Sequence, residues 1–134
     1  MFKNGLYLIS KMFYLFLLAI LITSCDPVER EEIERISSPD SIVDVVLIRA
    51  NAGATTSFIF EVYIVRMGYD VVSTEEKLLF RGDKMEGLKL QWVQSKLLTI
   101  QYKQGRIFDF SNFWSSRDIQ YFKYIVEIRL VKKL

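Results

Sequence analysis

From residue 42 to the C-terminus, apolar side chains recur at every second position. A period of two puts alternate side chains on opposite faces of an extended chain, which is the pattern of β-strands. Residues 88–93 set Leu88, Leu90 and Trp92 against Lys89, Gln91 and Val93. Residues 97–103 set Leu98, Ile100 and Tyr102 against Thr99, Gln101 and Lys103. Residues 57–66 align Phe58, Phe60, Val62 and Ile64, and residues 121–131 align Tyr124, Val126, Ile128 and Leu130 opposite Glu127 and Arg129. Residues 42–50 are rich in β-branched groups. Residues 77–81 and 106–110 are shorter candidates, the second entered through a turn at Gln104-Gly105. No long helical pattern follows residue 38, and residues 111–120 hold one helical turn at most. Six or seven strands with short connections predict a mainly β domain, a small antiparallel sheet folded as a sandwich or an open barrel.

The first 24 residues have another character. Residues 1–11 carry Lys3 and Lys11 and no acid, residues 12–22 are uncharged and apolar, and Thr23-Ser24 bring small side chains up to Cys25. A basic start, a short apolar middle and small residues at the end make the pattern of a secretory signal. The middle holds 11 apolar residues, whereas a spanning helix needs about 20. The run Leu21-Ile22-Thr23-Ser24-Cys25 resembles the lipobox of bacterial lipoprotein signals. The resemblance implies diacylglycerol transfer to the Cys25 sulfur and cleavage between Ser24 and Cys25. Two or three acyl chains anchor stably where one is marginal. The expected location is the cell membrane, with the domain facing the periplasm or the cell exterior. Asp26 matches the signal that holds such proteins in the inner membrane of enterobacteria. An uncleaved single-span anchor, counted from Leu6 to Ile22, is the alternative and gives the same topology. Met12 is an alternative start.

Residues 26–38 read as a charged tether. Asp26, Pro27 and Glu29 suit a helix start, and Glu31 and Arg35 stand four apart, but the apolar stripe of Val28, Ile33 and Ile36 is thin. A solvated spacer is the expectation. The organisation read from the sequence is therefore a signal peptide over 1–24, a lipidated cysteine and tether over 25–38, and a β-rich domain over 39–134.

Composition excludes several chemistries. The chain has 18 bases and 16 acids. The leader holds two of the bases, so the remainder is balanced and lacks the basic excess that phosphate backbones demand. Nucleic acid is not an expected partner. There is no histidine and a single cysteine, so Ser-His-Asp and Cys-His catalysis, an internal disulfide and the usual Cys/His zinc sites are all excluded. No cofactor or metal is expected.

The candidate ligand loop is Asn51-Ala52-Gly53-Ala54-Thr55-Thr56-Ser57. Gly53 can take a positive φ there, and Asn51, Thr55, Thr56 and Ser57 can present polar groups to a ligand or to their own backbone. A turn at Ser38-Pro39-Asp40-Ser41 precedes the first expected strand. This turn, the apolar strand after it and Gly53-Ala54-Thr55-Thr56-Ser57-Phe58 resemble a family of small bacterial envelope proteins of unknown function. Trp92 and Leu98-Thr99-Ile100-Gln101-Tyr102 match a later part of that pattern. Ser41 and Ala52 depart from it, where glycine and cysteine are usual. The resemblance implies a fold and no activity.

A candidate partner patch lies at Phe108, Phe110, Phe113 and Trp114, with Tyr121, Phe122 and Tyr124 soon after; core packing competes for the same side chains. The carboxylates Asp44, Glu61, Asp70, Asp83, Glu86, Asp109, Asp118 and Glu127 show no spacing that selects a catalytic pair, and solvation is expected for most. Arg81-Gly82-Asp83 reads as a coincidental tripeptide at a turn. The expected function is a lipid-anchored binding module that contacts the membrane through its anchor and either another envelope protein or a polar ligand. The alternatives are a small carboxylate- or Ser/Lys-dependent hydrolase and an inhibitor or immunity lipoprotein.

Overall fold

The computed structural model describes residues 3–20 and 28–134. Helix α1 spans Lys3–Ile20, in keeping with the apolar leader. Among the described residues, no helix is long and apolar enough to cross a membrane. Ser24, Cys25 and Asp26 lie outside the described residues.

Nine strands follow among the described residues: β1 (Glu29–Ser37), β2 (Val43–Asn51), β3 (Ile59–Arg66), β4 (Phe80–Glu86), β5 (Lys89–Gln94), β6 (Leu97–Tyr102), β7 (Gln104–Phe110), β8 (Phe113–Trp114) and β9 (Val126–Lys132). They form a five-stranded sheet in the order β1-β2-β3-β4-β7 and a four-stranded sheet in the order β5-β6-β9-β8. The protein is thus mainly β, as the alternation predicts. All pairs are antiparallel except β6 with β9, which run parallel.

The core joins the inner faces of both sheets. Val43, Val45, Leu47, Val62, Ile64 and Phe80 from the first sheet pack with Leu90, Leu98, Ile100, Trp114, Val126 and Ile128 from the second. The alternating residues read from the sequence are largely these. A smaller cluster (Val46, Ile48, Tyr63 and Val65) lies on the opposite face of β2 and β3, where Val71 and Leu78 of the β3–β4 connection pack onto it. Strands β2 and β3 are therefore buried on both faces, which explains the uninterrupted apolar run Val45-Val46-Leu47-Ile48.

The two sheets share a ribbon. Strands β4 and β5 are nearly continuous, as are β6 and β7, and the two lengths pair with each other from Phe80↔Phe110 to Gln94↔Leu97. The ribbon turns the corner between sheets at Gly87 and Gly105, both at positive φ. A Cβ on Gly105 would stand 2.3 Å from the Met85 sulfur and 3.1 Å from the Met85 Cα, so any other residue there must displace Met85 and strain the backbone. Strands that change sheets through bends and bulges are a recognised way of turning such corners. Gln104-Gly105 is consequently the first part of β7 and not a turn before it. The short strand expected over 77–81 instead begins at Phe80, so Arg81-Gly82-Asp83 lies inside β4.

The tether is the main correction. From Glu29 onward it is neither spacer nor helix but an edge strand, paired with β2 from Glu29↔Asn51 to Ser37↔Asp44 with a bulge at Ile33. Its charges find partners on neighbouring strands: Arg30 with Glu61, Glu31 with Arg49, and Arg35 with Asp44. Ile36 packs against the core. Those cross-strand pairs override the weak helical spacing, and a charged edge also resists pairing with other chains. The folded unit therefore begins near residue 29 and not at 39.

Candidate functional site

The β2–β3 loop is tied by its own polar groups. The Gly53 amide donates to Asn51 Oδ1 at 3.2 Å, and both the Thr56 amide (3.3 Å) and its hydroxyl (3.1 Å) donate to the Gly53 carbonyl. Gly53 has a φ of 133°, the left-handed region that favours glycine. This part of the loop is a built turn, and Thr55 and Ser57 carry its remaining hydroxyls.

The loop meets the end of the β4–β7 pair. Ala52, Thr55, Thr56, Ser57 and Ile59 line a cleft of ≈ 370 Å³ with Asp83, Lys84, Arg106 and Phe108. The row Arg30, Ala50, Ile59, Asp83 and Arg106 crosses all five strands at this end. Asp83 is nearly buried and accepts a fork of hydrogen bonds from Arg106, one of them from Nε at 2.7 Å. Those bonds and the Arg106 charge hold the Asp83 carboxyl below the usual aspartate range. Among the described residues Lys84 makes no ion pair; it takes a φ of 53° beside the irregularity between Asp83 and Glu86. The cleft thus offers one uncommitted ammonium, one half-committed guanidinium, three hydroxyls, of which that of Thr56 already donates to Gly53, and a phenyl ring.

Of the aromatic candidates, Phe108 is 53% exposed and belongs to this cleft. It is the extra residue where the β4–β7 register shifts. The Arg106 guanidinium lies 5.8 Å from its ring centre. Phe110 and Phe113 are also exposed, the second under the Lys77 ammonium at 3.8 Å. Trp114 is 2% exposed and sits in the core, so it drops out of the patch. Tyr124 is buried too, whereas Tyr121 and Phe122 are exposed, lifted by three successive residues at positive φ, Gln120 to Phe122.

Three carboxylates expected to be solvated are buried. Glu61 accepts from Arg30, Arg81 and the Tyr63 hydroxyl, all near 3.1 Å. Asp44 accepts from Ser37, Arg35 and the Gly68 amide at 2.7–3.0 Å. With Asp83 they are ion-pair centres on the outer face of the five-stranded sheet. Full pairing makes them structural supports, since an unpaired buried carboxylate is costly.

A second cleft of ≈ 270 Å³ is lined by Val65, Arg66, Tyr69, Glu76, Trp114, Ser116, Asp118 and Ile119. Burial, followed by the charges of Glu75 and Asp118, pushes the Glu76 carboxyl above its ordinary value. Glu76 is not apparent from the sequence, because only the folding of the β3–β4 connection over the sheet brings it to Asp118. Lys84 is equally illegible: nothing in its neighbours announces the left-handed backbone. Among the described residues no group of His, Cys, Asp and Glu is arranged to hold a metal ion.

Comparison with known proteins finds no match to a family model, a curated protein or a solved structure.

Proposed function

We propose that the protein is a lipid-anchored binding module of the bacterial envelope, with its ligand site in the Ala52–Ser57 cleft. The anchor rests on the basic, apolar and small-residue order that leads to Cys25. The single observation behind the site is convergence: the hydroxyl loop, Lys84, Arg106 and Phe108 come from three separate segments and line one cleft. Hydroxyl donors and cations suit an anionic group, and the exposed ring suits an apolar neighbour of that group.

Two measurements test this in the native cell. Radiolabelled palmitate should enter the wild-type chain and not Cys25→Ser. A photo-crosslinking residue at Thr56 or Phe108 should give a light-dependent adduct, and one at Gln94 should give none. Adducts of equal yield at all three positions would remove the cleft from consideration.

One observation favours a second reading, a small hydrolase. Glu76, with its carboxyl pushed up, and Asp118 line a single cleft, and paired carboxylates in unequal environments are the arrangement acid–base catalysis needs. Hydrolysis of a glycosidic substrate lost in both Glu76→Gln and Asp118→Asn would support that reading; full activity in either variant would end it.

A further inference from the structure

We propose that the end of the sandwich carrying the Ala52–Ser57 cleft rests on the membrane surface, with the phosphate of a phospholipid headgroup held in the cleft. The inference builds on the lipid-anchor reading and follows from the place where the folded chain begins. Only three residues separate Cys25 from Glu29, the first residue of β1. A chain of four peptide steps reaches about 14 Å at most, whatever its conformation. Acyl chains on Cys25 therefore hold Glu29 within that distance of the lipid headgroups.

The register of β1 decides which surface comes with it. Glu29 pairs with Asn51, and Asn51 opens the loop that lines the cleft. The neighbouring row runs from Arg30 through Ala50, Ile59 and Asp83 to Arg106. With strands about 4.8 Å apart, Arg106 lies about 19 Å along the sheet from the anchored strand. Loop and cleft therefore lie at the same end of the sheet as the anchored residue, within reach of the bilayer.

The side chains at this end suit the interface. Phe58 and Phe108 are exposed, and each has a guanidinium over its ring, Arg49 at 4.7 Å and Arg106 at 5.8 Å. Aromatic rings paired with long cationic side chains are the groups that settle at the boundary of headgroups and acyl chains. Of the acids at this end, Glu31 and Asp83 are each committed to an arginine, Arg49 and Arg106, and the exposed Glu29 stands across the sheet from the cleft. Lys84 is left to meet a phosphate beside the loop hydroxyls. The chain beyond the leader is balanced in charge, so the attraction is local to the cleft and not a field around the whole domain.

The test uses the full lipidated chain, purified from membranes and reconstituted in vesicles of phosphatidylcholine, with and without phosphatidylglycerol. Single thiols are introduced outside the cleft lining as Ala54→Cys and Glu29→Cys at the anchored end and as Tyr69→Cys, the last beyond the far end of β3. Each receives an environment-sensitive fluorophore, and quenching by a headgroup-linked nitroxide lipid is read. Strong quenching is expected at the first two positions and little at the third. Phosphatidylglycerol should strengthen it, and high salt or Lys84→Gln should weaken the added part about fivefold, as for one cation near an anionic surface. Equal quenching at all three positions overturns the docking. Crosslinks from Thr56 to protein and not to lipid overturn the headgroup assignment. The unsubstituted chain keeps the two readings apart: a Cys25 that stays unreactive to thiol label leaves the anchor standing when docking fails, and a reactive Cys25 removes both.

Discussion

The Tyr124 hydroxyl donates to Asp40 Oδ2 at 2.6 Å, joining residues 84 positions apart in the chain. The same hydroxyl reaches the Ser95 carbonyl at 3.1 Å, and Ser38 donates to the other Asp40 oxygen at 2.6 Å. The Ser38-Pro39-Asp40 turn is thereby fastened to the approach to β9. Tyr124→Phe removes the link and leaves Asp40 Oδ2 to water. It should cost about 1–2 kcal/mol, read as a lower midpoint in urea with the slope unchanged. An unchanged midpoint would show that the turn is held without Tyr124, by Ser38, the Ile42 amide and its own backbone bonds.

Acid should unfold the domain partly through Asp44. Burial alone would raise this carboxyl, but the Gly68 amide, the Ser37 hydroxyl and the Arg35 guanidinium outweigh it and hold the group below its ordinary 3.8. A carboxyl depressed in the folded state binds its proton more readily when unfolded. Its contribution is therefore complete above about pH 4 and is lost as pH falls through the folded value. Asp44→Asn should lower stability at pH 7 by about 3 kcal/mol, since it leaves Arg35 short of a buried partner. It should also flatten the acid limb of stability against pH. A limb of unchanged steepness would assign it to Asp40, Glu32 and Asp83, which are also depressed.

Glycine substitutions should separate backbone strain from lost space. Gly53→Ala meets nothing within 4 Å and pays only for its left-handed backbone, roughly 1 kcal/mol. Gly105→Ala adds a collision with Met85 and should cost about 2–4 kcal/mol. The double variant Gly105→Ala/Met85→Ala should not recover the wild-type value, because Met85 fills the core and the strained φ remains. Thermal midpoints of the three variants decide the matter.

Glu61 should resist salt. It is 2% exposed and lies between Arg30 and Arg81. Glu61→Gln should destabilise by about 3–5 kcal/mol, and the loss should persist in molar salt, which screens exposed pairs far more than buried ones. The exposed Glu127–Arg129 pair is the control: Glu127→Gln should change the midpoint by less than about 1 kcal/mol. A Glu61→Gln loss that disappears in salt would place the carboxylate in water.

What the sequence revealed and what it hid divide along a physical line. Leu90, Leu98, Ile100, Val126 and Ile128 declare their strand and face because alternation is local. Glu29–Ser37 conceals its strand because nothing in those residues announces Glu61, Asp44 or Arg49 as partners. Trp114 could not be assigned to patch or core for a related reason: its burial depends on β9, which lies beyond the next loop. In the cleft, the hydroxyl loop was legible as a turn with positive φ at Gly53. Lys84 and Arg106 were not, since they join it only through the register of β3 with β4 and of β4 with β7. Glu76 and Asp118 meet for the same nonlocal reason.

The ribbon shared by β4–β5 and β6–β7 has a consequence for how the chain reaches its fold. Zipping outward from the Ser95-Lys96 turn closes only small loops, one rung at a time, so its entropic cost stays low until the Gly87 and Gly105 corner. The β1–β2 and β2–β3 hairpins close small loops too, whereas the parallel β6–β9 pairing must close a far larger one before any contact rewards it. The ribbon alone belongs to both sheets, so it is the template on whose two halves β9 and the β1–β3 meander assemble. In kinetic terms, Leu98→Ala should chiefly slow refolding and Val46→Ala chiefly hasten unfolding; the reverse pattern would place the nucleus in the meander.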